Sequence, residues 1–216
     1  MDTSVALVET YLRMNGYFTV AEFPIVARVP GPQGHTELRT RTDLDILAFR
    51  FPRAQHLVPA AGTATADDRE AGVLDEALGV SADVGDMIIG EVKEGVAELN
   101  AAARDPAVLR AALARFGCCS AGEAARAARE LLHVGSVELR HGHRARLVAF
   151  GSVVPSASAA GGPSHCVALP HVFDYLRRQI ARDWNVMKAG GTKDEALGWL
   201  LLEEKARRAS LAGAAR

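Results

Sequence analysis

The chain has 216 residues, 49% of them hydrophobic and 24% charged, with a formal net charge of −1. That length and mix suit a single globular domain with a sizeable core, and the near-neutral balance excludes a global electrostatic pull toward nucleic acid or an anionic membrane. Three cysteines, Cys118, Cys119 and Cys166, two of them adjacent, do not form a disulfide framework, so a reducing, cytoplasmic setting is expected.

The opening Met-Asp-Thr-Ser lacks the basic-then-apolar pattern of a secretory signal. No apolar run reaches the roughly eighteen residues a membrane span needs. Residues 3–15 read as a helix, with Val5, Val8 and Leu12 at helical spacing and Gly16 ending the run. Residues 17–29 alternate as an extended segment, and Pro24 predicts an edge strand or a bulge there. Residues 30–34 are a Pro/Gly turn, and residues 39–51 form the next strand. Residues 53–85, with an acidic run at Asp67, Asp68 and Glu70, are too long for an ordinary connection. They read as an insertion or long loop with partial structure or disorder, and residues 75–78 as a helical turn. Residues 86–93 are again a strand.

Asp105 and Pro106 open a helix over residues 105–116, and Ser120 with Glu123 forms a capping-box pattern opening another, to about residue 133. Residues 136–150 read as a hairpin around His141 and Gly142, with a buried second half. Residues 151–164 are a Ser/Ala/Gly/Pro loop and residues 166–169 a short strand. Pro170 starts an amphipathic helix, and a last helix covers 194–208 before a frayed tail over 209–216. The order predicts one α/β domain over 1–216, a mixed sheet flanked by helices.

Two strands carry the chemistry: Thr42-Asp43-Leu44-Asp45-Ile46-Leu47-Ala48 and Met87-Ile88-Ile89-Gly90-Glu91-Val92-Lys93. Side chains alternate along a strand, so Glu91 and Lys93 share one face. Asp45 and Glu91 would offer two carboxylates, and the Val92 carbonyl a third oxygen, to a hard cation such as Mg²⁺ or Mn²⁺. Lys93 would orient or deprotonate the attacking water, or pair with a phosphate. The plain alternative is a set of solvated strand-end charges.

This pattern resembles the PD-(D/E)xK nuclease superfamily, with its restriction-endonuclease-like fold. Within it, the strand pair is similar to that of Holliday-junction-resolvase-type and related small bacterial nucleases. The resemblance covers residues 3–116 well and 144–182 loosely. It implies an αβββαβ core, metal-binding acids at Asp45 and Glu91, a catalytic lysine at Lys93, and DNA cleavage leaving 5′-phosphate and 3′-hydroxyl ends. Some members add an acid from the first helix, and Glu9 stands in the matching place. Leu44 occupies the position where the family pattern has proline.

Around the predicted hairpin tip, Arg140, His141, His143, Arg144 and Arg146 would grip phosphates or remain solvated. Asp43 would be a further acid of the site, or a partner for Arg41. Arg177, Arg178 and Arg182 share a helix and read either as a nucleic-acid contact or as a polar face. Cys118, Cys119, His133, His141, His143, His165 and Cys166 have no Zn²⁺-type spacing, and adjacent cysteines rarely bind one ion. The expected activity is therefore a metal-dependent nuclease with DNA as partner, as a homodimer or with a partner protein that supplies grip. The alternatives are an inactive nucleic-acid-binding or interaction module on the same fold and, less favoured, a zinc-dependent regulator.

Overall fold

The computed structural model describes residues 2–30, 35–54, 74–117, 119–156, 162–188 and 192–214. The turn at 31–34, the middle of the expected insertion (55–73), Cys118 and the centre of the 151–164 loop (157–161) lie outside the described residues.

Helix α1 (Thr3–Met14) starts on Asp2, whose carboxylate accepts the Ser4 N–H at 2.7 Å, and stops at Asn15 and Gly16, the latter at φ 83°. A long antiparallel hairpin follows, β1 (Phe18–Pro30) and β2 (Thr36–Arg50). Pro24 is tolerated because β1 is the outer strand of the sheet, and a register shift falls next to it, between Ile25 and Val26. Strand β2 is longer than the predicted 39–51, starting at Thr36. A single 3₁₀ turn over Glu76–Leu78, capped by Asp75, leads to β3 (Gly85–Val96).

Helices α2 (Pro106–Phe116) and α3 (Ala121–Val134) carry the expected caps, Asp105 with Pro106 and the Ser120–Glu123 capping box. The predicted hairpin is present as β4 (Ser136–Glu138), a 3₁₀ turn over Arg140–Gly142, and β5 (His143–Val153). Then come β6 (His165–Ala168), α4 (Leu169–Arg182), the unpredicted short α5 (Trp184–Met187) and α6 (Glu195–Ala214). The tail expected to fray over 209–216 is helical as far as Ala214, because its alanines are the best helix formers available.

The result is an α/β protein with a mixed open sheet flanked by helices. Strand order is β1-β2-β3-β5-β4, and β6 shares the β5 edge with β4. Strands β1 to β3 are antiparallel, whereas β3 and β5 run parallel, from Gly85↔His143 to Val96↔Val153. Residues 85–92 of β3 are all buried, as expected for a strand covered on both faces. On one face Ile46, Ile88, Val92 and Phe150 pack against Val8 and Leu12 of α1, Val172 of α4 and Leu197 of α6. On the other Leu47, Met87, Ile89 and Leu147 pack against Leu109 of α2 and Leu131 of α3. Among the described residues, no helix is long and apolar enough to cross a membrane.

A polar cluster ties the start of β3 to β5. Asp86, fully buried, accepts from Arg146 Nε and Nη2 at 2.7 Å each and from the Tyr17 hydroxyl at 2.6 Å. Arg146 spends its remaining reach on the Leu78 carbonyl, at 2.7 Å. Beside it the buried Arg50 guanidinium donates to the carbonyls of Ser81, Ala82 and Val84 and clamps the connection that leads into β3.

Candidate active site

Asp45 lies within β2, at the point where β2 stops pairing with β3. The β2–β3 ladder runs from Arg50↔Asp86 to Ile46↔Gly90 and goes no further. One step on, the Asp45 carboxylate replaces a backbone acceptor: its Oδ2 takes the Val92 N–H at 2.8 Å. Opposite Asp45 in the hairpin stands Glu22, a non-glycine residue at φ 50°. Leu44 and Ile46 flank Asp45 yet join opposite cores, so the hairpin twists sharply at this point. The two strands separate there, and the acid is aimed into the gap between them.

From β3, Glu91 and Lys93 project on the same face, as alternation requires. Lys93 Nζ lies 2.6 Å from Glu91 Oε1 and 3.9 Å from Asp45 Oδ2. Glu91 is 1% exposed, whereas Lys93 reaches the surface. The strand beneath is cut down to small residues: Glu91 registers with Ala149 and Lys93 with Gly151. A Cβ on Gly151 would fall 2.4 Å from the Ala97 nitrogen, so the missing side chain lets the β3–α2 connection fold back over the sheet. Ala97 N–H donates to the Val153 carbonyl at 2.8 Å and fixes that return. The return delivers Asn100, whose Nδ2 donates to Glu91 Oε1 at 2.7 Å. No strand or helix period marks Asn100; its place depends on the path of a loop.

Glu91 Oε2 is buried and accepts no hydrogen bond. Burial pushes the Glu91 carboxyl up to about 7; the hydrogen bond from Lys93 opposes this and the neighbouring Asp45 carboxylate adds to it. Because the folded-state value lies above the ordinary value of 4.5, folded protein binds more protons than unfolded chain between those two pH values. Stability from this group is therefore fully retained below about pH 4.5 and falls as pH rises toward 7. Gln at this position keeps an acceptor for Lys93 and Asn100 and does not titrate. We expect Glu91→Gln to be more stable than wild type by about 3 kcal/mol at pH 8 and about equal to it at pH 4.5. Chemical denaturation of both proteins across that range checks this; a difference that does not change with pH contradicts it.

Two hard oxygen donors side by side, one of them buried without a donor, fit a single Mg²⁺ or Mn²⁺ that keeps several waters. Among the described residues, no three His, Cys, Asp or Glu side chains form a group that could hold a metal ion. Val92, expected to offer its carbonyl, meets Asp45 through its N–H.

Several predicted residues lie elsewhere. Glu9, which borders the Val5–Val8–Leu12 stripe, is buried, but α1 covers the opposite face of the sheet from Glu91 and Lys93. There Glu9 accepts from Arg13 at 2.7 Å and the Thr19 hydroxyl at 2.8 Å. Asp43 is exposed, and Arg41 turns instead to Asp105, the N-cap of α2. The basic hairpin tip sits at the other end of the sheet: His143 registers with Gly85, six residues before Glu91, roughly 20 Å away at about 3.3 Å per residue. Arg140 pairs with Glu123, Arg144 with Glu138 at 3.5 Å, and the His143 ring packs on Phe49; Arg146 is the buried partner of Asp86. The His141 side chain lies outside the described residues. Arg177 pairs with Glu203 and Arg182 with Asp183. Burial pushes the Cys119 and Cys166 thiols up, which disfavours thiolate.

No protein-family model, curated protein or solved structure matches the chain.

Proposed function

We propose that the protein is a metal-dependent nuclease that hydrolyses DNA phosphodiester bonds at Asp45, Glu91 and Lys93. The observation that carries this reading is the meeting of two carboxylates and one ammonium at the opening between β2 and β3, with the inner carboxylate short of a donor on Oε2. The order of helix, three antiparallel strands, helices and a parallel strand supports a restriction-endonuclease-like core for it.

In this reading Asp45 and Glu91 Oε2 hold Mg²⁺ or Mn²⁺, which when bound stabilises charge on the phosphate and acidifies a coordinated water. Asp45 is held for the task by the Val92 N–H, which leaves its second oxygen for the ion. Lys93 is half-buried with a side chain that reaches the surface, so it can leave Glu91 for a scissile phosphate or an attacking water without unfolding the strand. Any DNA contact made by Arg140 or Arg144 would lie about 20 Å from the chemistry, so a homodimer or partner protein would place a second grip nearer the site.

The test is cleavage of duplex, single-stranded and branched DNA with Mg²⁺, with Mn²⁺ and with EDTA. Cutting of any of these by the metal-supplied protein, abolished by EDTA, is the expected result. Absence of cutting by folded protein under every condition overturns it. One feature favours a second reading, an inactive nucleic-acid-binding or interaction module: the Lys93–Glu91 pair neutralises the carboxylate with no ion needed. DNA affinity that survives EDTA and is lost on substituting Arg140 and Arg144 would select that alternative.

A further inference from the structure

We infer that Asn100 is a positioning residue for Glu91, holding Oε1 so that Oε2 alone faces a divalent cation. The inference rests on the nuclease reading above for the identity of the ligand, but its geometry is independent of it.

The two ends of the Asn100 amide are not interchangeable here. Oδ1 accepts the Ala103 N–H at 2.7 Å, which turns Nδ2 toward Glu91 Oε1, also at 2.7 Å. Glu91 Oε1 thus receives two donors, the Asn100 amide and the Lys93 ammonium, while Oε2 receives none. A carboxylate that takes both donors on one oxygen and none on the other, with the Asp45 carboxylate beside it, has its plane and its free lone pairs fixed. The two donors differ in kind. The Lys93 ammonium stands on a flexible stem and lies near Asp45 as well. Asn100 belongs to a connection pinned before it by the Ala97–Val153 hydrogen bond and after it by the Arg41–Asp105 pair. When Lys93 turns to a phosphate or a water, Asn100 is the donor that keeps Glu91 from rotating.

The experiment measures Mn²⁺ binding to the full chain by electron paramagnetic resonance, with and without a phosphorothioate oligonucleotide that resists cleavage. Wild type is compared with Asn100→Ala and with Asn100→Ser, which retains an acceptor for the Ala103 N–H but cannot reach Glu91. Thermal melting of each protein runs in parallel. We expect the Mn²⁺ dissociation constant to rise about 10–100-fold in both variants, as for other residues that hold a metal ligand from behind, with the Asn100→Ser melting temperature near that of wild type. Equal Mn²⁺ affinity in wild type and variants overturns the role of Asn100 and leaves the metal site standing. Absence of Mn²⁺ binding to wild type, with or without the oligonucleotide, overturns both the site and the inference built on it. A loss of affinity matched by an equal loss of folded protein in both variants also overturns it, since Asn100 would then be serving the loop alone.

Discussion

Asp86→Ala is expected to cost about 3–5 kcal/mol, enough to unfold much of the protein at moderate temperature. The substitution removes the only carboxylate that the Arg146 guanidinium meets among the described residues, and Arg146 is 4% exposed. It also strips the Tyr17 hydroxyl of its acceptor. A guanidinium cannot shed its charge, so an uncompensated cation remains inside a sheet buried on both faces. The native pair is not itself evidence of large stabilisation; the loss arises from breaking it on one side. Arg146→Met should therefore cost less when combined with Asp86→Leu than when made alone. Urea denaturation of the single and double variants measures this, and additive effects of the two changes would contradict the account.

On the nuclease reading proposed above, Lys93→Met should reduce metal-dependent DNA cleavage by about 10²–10⁴-fold, the range for removing one well-placed proton-transfer or charge-stabilising group. Met preserves the stem and deletes the charge. The fold should survive, because Lys93 lies at the surface end of β3, and Asn100 still supplies a donor to Glu91 Oε1. The same change raises the charge cost on Glu91, whose carboxyl loses the group that opposes its upward displacement. The variant should accordingly lose stability at pH 8 more than at pH 5. Cleavage assays and denaturation at both pH values test the two halves of this expectation separately. Full activity in the variant would remove Lys93 from the mechanism.

The parts of the site that were legible in the sequence are those fixed by local geometry. Alternation alone places Glu91 and Lys93 on one face, and the caps at Asp105 and Ser120 mark where α2 and α3 begin. Glu9 shows the limit of such arguments. A helical stripe reveals that a residue turns inward, but not which face of the sheet its helix will cover. Arg146 shows another limit: it reads as one of five basic residues near a turn, because its partner Asp86 is sixty positions away. Asn100 had no pattern at all; it reaches Glu91 only because Gly151, on a different strand, yields room to Ala97. Asp45 was found for its chemistry, yet its position inside a long strand depends on where a ladder ends, which no single strand records.

The parallel pairing of β3 with β5 also has a consequence for the order in which the molecule can be completed. During synthesis the hairpin and β3 emerge first, and Asp45 can meet Glu91 as soon as residue 93 is free. The Arg146 counterion for Asp86, the small-residue floor at Ala149 and Gly151 and the anchor at Val153 arrive only about 50–60 residues later, roughly 3–12 s at ordinary translation rates. Until then β3 has one unsatisfied edge, and Asp86 stands without the cation that folding will give it. A nascent chain halted before residue 146 would hold both carboxylates of the site while lacking the strand that supports them.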